Sequence, residues 1–280
     1  MNQNIQFSCK DELSLSLTVP IGVKKEMFAS DGTKIQWIEC GSGKPLVISP
    51  ALGTPFISWL PAIQSLSTVF RLIFILTRGG VEGPIHQNPT ALTVERRADD
   101  LTELINSLKL QEYYIAAHSS GVSPVILGLN KLKIPPIHVC LISSRYDIGP
   151  PIGAESLLQR ARKNPGFTKL VQSIVVSFSP PSVAEVIREQ LHDFNRMESL
   201  LYAFEESRAF NYITPIRLGI TITFIIAEYD PEDVRNTTRH IINRYENEPW
   251  TLVDVAKAGH FFIQEDGAAA AALITRSLCS

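Results

Sequence analysis

Apolar positions in this chain fall into two alternating kinds of run. Short continuous stretches at residues 45–49, 71–76, 113–117, 137–143, 220–227 and 251–255 have the length and content of strands buried on both faces. Residues 93–108 instead repeat apolar side chains at helical spacing, with Ala98, Leu101, Leu104 and Ile105 on one side. Further helices are predicted for residues 120–132, for residues 233–245 and for the Ala-rich stretch from Gly267. Pro124 falls in the first turn of its helix, where a missing N–H is harmless. Near the amino terminus, residues 25–29 and 34–40 flank Asp31-Gly32, a dipeptide that accommodates the positive φ of a hairpin turn. Strands alternating with helices predict an α/β fold, a mostly parallel twisted sheet flanked by helices.

The alternation stops between residues 145 and 215. Only amphipathic segments occur there, at 154–162, 167–178, 182–193 and 197–210, punctuated by Pro150-Pro151 and Pro180-Pro181. The predicted organisation is therefore a core from residues 26–144 and 216–280 with a helical cap inserted at 145–215. Residues 1–25 form a leader or arm, whose alternating Leu13, Leu15 and Leu17 would suit an extra strand.

Composition narrows the function classes. A length of 280 residues with 45% apolar content fits one globular domain carrying an inserted subdomain. The net charge of −2, with no long run of one sign, argues against nucleic-acid binding and against a polybasic membrane patch. Residues 1–10 are polar and unlike a secretory signal, and the apolar runs are too short to span a bilayer, so the cytoplasm is the expected compartment. Cys9, Cys40, Cys140 and Cys279 are widely spaced and read as free thiols. His86, His138, His192 and His240 lack partners at metal-ligand spacing, and Gly79-Gly80 is not followed by the Lys-Ser/Thr of a phosphate loop. No metal or cofactor is expected. Arg160, Arg162 and Lys163 form a small basic cluster, read as a solvated helix face, with docking of an acidic carrier domain as the weaker alternative.

The chemistry concentrates at the carboxyl ends of three predicted strands. Ala117-His118-Ser119-Ser120-Gly121 lies between a buried strand and a helix. A serine hydroxyl is a poor nucleophile unless a sharp turn holds it out and a base removes its proton. Small residues two before and two after allow such a strand–turn–helix elbow. A helix-capping serine would be the plainer explanation of the pentapeptide alone. Two later strands, however, run into Glu228-Tyr229-Asp230-Pro231 and Lys257-Ala258-Gly259-His260, placing an acid and then an imidazole in successive loops. The order Ser119, Asp230, His260 is that of a nucleophile–acid–base triad on a parallel sheet. Glu228 and Asp147 are the alternative acids.

From about residue 27 onward the chain resembles the α/β-hydrolase superfamily. The likeness rests on Asp31-Gly32, Trp59, Arg78-Gly79, the elbow, the 228–230 loop and Gly259-His260. It implies Ser119 as nucleophile, Asp230 as acid and His260 as base, with the backbone N–H groups of Ser120 and Leu52 as oxyanion donors. The loop Ser49-Pro50-Ala51-Leu52-Gly53-Thr54 departs from the superfamily's common His-Gly pair and is more similar to that of enol-lactonases. Leu76 stands where an aspartate is frequent.

These features predict a serine hydrolase acting on a small to medium apolar ester, thioester or lactone. Trp59 and Phe261 are expected near its pocket. Acyl transfer, lyase or cyclisation chemistry at the same triad is the first alternative, and a non-enzymatic small-molecule receptor the second. The oligomeric state stays open, a homodimer included.

Overall fold

The computed structural model describes residues 3–4, 22–86, 88–144, 163–177, 181, 184–209 and 216–279. Asp147, Arg160, Arg162, the segment 154–162 and Leu13, Leu15 and Leu17 lie outside them.

Nine strands form one sheet among the described residues: β1 (Gln3–Asn4), β2 (Val23–Phe28), β3 (Lys34–Cys40), β4 (Lys44–Ser49), β5 (Phe70–Leu76), β6 (Tyr114–His118), β7 (His138–Ile142), β8 (Thr221–Ala227) and β9 (Trp250–Val255). Their order is β1-β2-β3-β5-β4-β6-β7-β8-β9. The first three ladders are antiparallel and all those from β5 to β9 are parallel. The hairpin between β2 and β3 turns at Gly32, whose φ of 82° suits a residue without Cβ.

Side chains alternate strictly across this sheet, which explains the unbroken apolar runs. Leu46 and Ile48 of β4, Tyr114 and Ala116 of β6, and Cys140 and Ile142 of β7 enter one core. Val47, Ile115, Ala117, Val139 and Leu141 enter the core on the opposite face. The first core is closed by α1 (Leu60–Leu66), α8 (Phe262–Glu265) and α9 (Gly267–Cys279), the second by α2 (Val94–Ser107), α3 (Val122–Leu129) and α7 (Glu232–Arg244). Both faces are thus removed from water, and the polar residues Ser49, His118, His138 and Thr223 on the central strands are buried and hydrogen-bonded.

The predicted strands and helices correspond to these elements within a few residues. Helix α3 ends at Leu129 rather than 132. Leu132 still packs in the second core, so apolar spacing continues past the last helical turn. Helix α1 carried no distinct sequence signal at seven residues. Between β7 and β8, the described residues form α4 (Pro165–Ser177), α5 (Ala184–Gln190) and α6 (Phe194–Ala209) and no strand.

One topological feature positions the site. β5 pairs with one edge of β4 and β6 with the other, so successive strands are added on opposite sides of β4. A crevice opens where such an order reverses, beyond the carboxyl ends of the strands. The loop leaving β4 and the turn leaving β6 meet there.

Candidate active site

Ser119 occupies the sharp turn between β6 and α3. It has a φ of 51°, in the left-handed region that costs a non-glycine residue energy. A single 3₁₀ turn, Ser119–Gly121, links the strand to the helix. Gly121 makes the turn feasible: a Cβ there would lie 2.3 Å from the Ser49 carbonyl oxygen and 2.5 Å from that of Pro50. The elbow is therefore wedged against the loop leaving β4, and the Ser49 hydroxyl donates to the Gly121 carbonyl at 2.9 Å.

Three distant segments converge on this turn. His260 Nε2 lies 3.0 Å from Ser119 Oγ, and His260 Nδ1 lies 2.6 Å from Asp230 Oδ1. A ring nitrogen facing a carboxylate carries the proton, which leaves Nε2 to accept from the serine. Asp230 itself is held on its other oxygen. Oδ2 accepts from the Ser143 hydroxyl at 2.7 Å and from the Ala227 amide at 2.7 Å. Burial pushes the Asp230 carboxyl up, but the bonds from His260, Ala227 and Ser143 outweigh it and hold the group below its ordinary value. The carboxylate is ionised at neutral pH.

Glu228 does not share this geometry; its carboxylate accepts from the exposed Lys257 amide at 2.6 Å. Near the elbow, the Leu52 amide donates to Ser120 Oγ at 3.0 Å, joining the β4 loop to the residue after Ser119. Trp59 is fully buried against Phe74 and His118 rather than lining open space. His138 is buried and bonded to the Thr223 hydroxyl at 2.9 Å. Among the described residues, no cluster of His, Cys, Asp and Glu could hold a metal ion, and no helix is long and apolar enough to cross a membrane.

The same architecture recurs among solved structures. An enol-lactonase from Burkholderia xenovorans LB400 superposes with a TM-score of 0.74 at 19% identity, covering 91% of this chain and all (100%) of that one. An epoxide hydrolase from Vigna radiata gives 0.71 at 14% identity, over 91% and 97%. A thermophilic esterase from Thermogutta terrifontis gives 0.70 at 18% identity, over 91% and 98%. This is the α/β-hydrolase fold. No protein-family model matches the chain. Among curated proteins, 77 residues, or 27% of the chain, are 32% identical to the RutD protein of Agrobacterium fabrum (strain C58), which is named for carbamate hydrolysis; the match spans 29% of that protein's length.

Within this α/β-hydrolase fold, two groups around the elbow escaped the reading of the sequence. Ser143, at the end of β7 with a φ of 49°, is buried beneath Asp230. Its signal was a serine closing an apolar strand beside the one that leads to Asp230. His118 is buried with its ring centroid 5.3 Å from that of His260, and its Nε2–H donates to the His260 carbonyl at 2.9 Å. Nothing in the local sequence distinguishes that role from ordinary packing.

Proposed function

We propose that the protein is a serine hydrolase whose nucleophile is Ser119, with His260 as base and Asp230 as the acid that orients it. One observation carries this reading: the unbroken hydrogen-bond relay from the strained Ser119 through His260 to Asp230. Nε2 of His260 takes the Ser119 proton as Oγ attacks a carbonyl carbon, and the carbonyl electron pair moves to oxygen. Asp230 favours the resulting imidazolium, and the backbone N–H groups of Leu52 and Ser120 receive the oxyanion. The imidazolium then protonates the leaving group, and the same ring activates water against the acyl-enzyme.

Serine chemistry argues for a carbonyl substrate even though several structural neighbours are epoxide hydrolases. Attack of a serine oxygen on an epoxide would leave an ether, which offers water no carbonyl to cleave. Attack on an ester, thioester, lactone or carbamate leaves an acyl- or carbamoyl-enzyme that water can resolve. The acyl part is apolar and of modest size, because residues 145–215 act as a cap whose described helices bring Val175, Met197, Leu200 and Leu201 into one cluster with Leu52 and Val81.

A fluorophosphonate should label wild-type protein at Ser119 and leave Ser119→Ala unlabelled. Activity on a panel of p-nitrophenyl esters, thioesters, lactones and carbamates should fall about 10⁴-fold in kcat for Asp230→Asn. Labelling at another residue, or equal turnover by Ser119→Ala, would remove the assignment.

A further inference from the structure

The Leu52 amide has a partner in the resting protein: the Ser120 hydroxyl oxygen, at 3.0 Å. Under the reading above, that amide is one of the two groups a developing oxyanion must reach, and the other is the backbone N–H of Ser120 itself. The Ser120 side chain therefore sits beside both donors, on the residue directly after the nucleophile. A hydroxyl that only accepted would compete with every substrate for the Leu52 N–H. A hydroxyl, however, also carries a proton and rotates freely about its C–O bond. Among the described residues, no acceptor faces the Ser120 proton, and the residue is partly accessible to solvent.

We propose that the Ser120 hydroxyl is a catalytic third donor of the oxyanion hole, an inference that rests on Ser119 being the nucleophile. In the resting state it accepts from Leu52 and keeps the loop leaving β4 close to the elbow. When Ser119 Oγ bonds to the acyl carbon and the carbonyl pair becomes an alkoxide, the Ser120 O–H turns toward that oxygen. No proton is transferred in this contact; the only one moved in the step passes from Ser119 to His260. The alkoxide is the stronger acceptor, so the hydroxyl contributes more in the transition state than in the Michaelis complex. This suits substrates whose carbonyl becomes fully anionic. It also offsets the lack of any polar side chain at Pro50-Ala51.

The test compares wild type, Ser120→Ala and Ser120→Thr, the last keeping a hydroxyl on the same carbon. Two rates are read: kcat and KM on p-nitrophenyl butyrate, and the rate constant for phosphonylation of Ser119 by a fluorophosphonate, whose phosphoryl oxygen enters the same hole. Ser120→Ala should lower kcat and the phosphonylation rate by about 10- to 100-fold with KM little changed. Ser120→Thr should stay near wild type, and the thermal midpoint of Ser120→Ala should fall only by the few degrees that losing one hydrogen bond costs. If Ser119 is labelled as fast or faster in Ser120→Ala, the hydroxyl merely occupies the hole and this proposal falls while the nucleophile assignment stands. If wild type is not labelled at Ser119 at all, both fall together.

Discussion

At the scale of single residues, the elbow concentrates the strictest constraints. Gly121 has backbone oxygens where a Cβ would go, and backbone cannot yield as a side-chain tip can. Gly121→Ala should therefore destabilise by about 1–3 kcal/mol, read from urea midpoints, and displace the β4 loop enough to lower Ser119 labelling. His118 imposes a constraint of another kind. Burial, aided by the neighbouring His260, pushes its pKa from 6.5 down to about 3. Below pH 6.5 the unfolded chain gains a proton that the folded chain refuses, so stability is present at neutral pH and lost as pH falls. The slope should reach about 1.4 kcal/mol per pH unit between roughly pH 6 and 4. His118→Gln, which keeps a donor near the His260 carbonyl but does not titrate, should show a shallower loss of urea midpoint over that range. An equal slope in both proteins would mean that His118 is not excluded from protonation.

At the scale of elements, Arg78 adds a polar tie between parts that the second apolar core also joins. Its guanidinium is 1% exposed and bonds Asp100 on α2 at 2.8 and 2.7 Å. It also bonds Asp31 in the β2–β3 turn at 2.6 Å. Hairpin, post-β5 loop and α2 thus meet at the Arg78 guanidinium, with Arg96 pairing the same two carboxylates at 3.7 and 3.3 Å. Removing Arg78 leaves the buried Asp100 carboxylate with only the longer bond from Arg96, at 3.3 Å, so Arg78→Met should cost about 3 kcal/mol of unfolding free energy. Adding Asp100→Leu should recover part of that loss, because the undercompensated charge goes with it. Additive losses in chemical denaturation would show that the two side chains act independently.

At the scale of the whole molecule, the helices between β7 and β8 are attached unevenly. Helix α6 is pinned to the core: Arg196 donates to the Val81 and Gly83 carbonyls at 2.6 and 3.1 Å, and Arg97 to Ser207 Oγ at 2.9 Å. The His86 amide adds a bond to Ser199 Oγ at 3.0 Å. Helix α4 is tied mainly to its neighbours, as in the bond from Gln172 to the Leu191 carbonyl at 2.8 Å. If these helices open to admit substrate, α6 is the fixed side. Arg196→Ala should speed proteolytic nicking within residues 165–209 severalfold while leaving the thermal midpoint of the core nearly unchanged. Nicking at an unchanged rate would mean that apolar packing alone holds α6.

Much of this architecture was written locally. Buried strands announce themselves as unbroken apolar runs because both faces of the sheet are covered, and α2 as a 3.6-residue repeat because one side meets the core. The order of Ser119, Asp230 and His260 at strand ends could likewise be read from the chain, since each follows an apolar run. What could not be read is what those side chains touch. The contact of Leu52 with Ser120 spans 68 positions, that of Ser143 with Asp230 spans 87 and that of His118 with His260 spans 142. Periodicity encodes which way a residue faces within its own element. It holds no record of which strand becomes a neighbour, and that depends on the crossover at β4 and the parallel register from β6 to β9. His260 facing Asp230 rather than Glu228, two residues away, is therefore a decision of the tertiary structure.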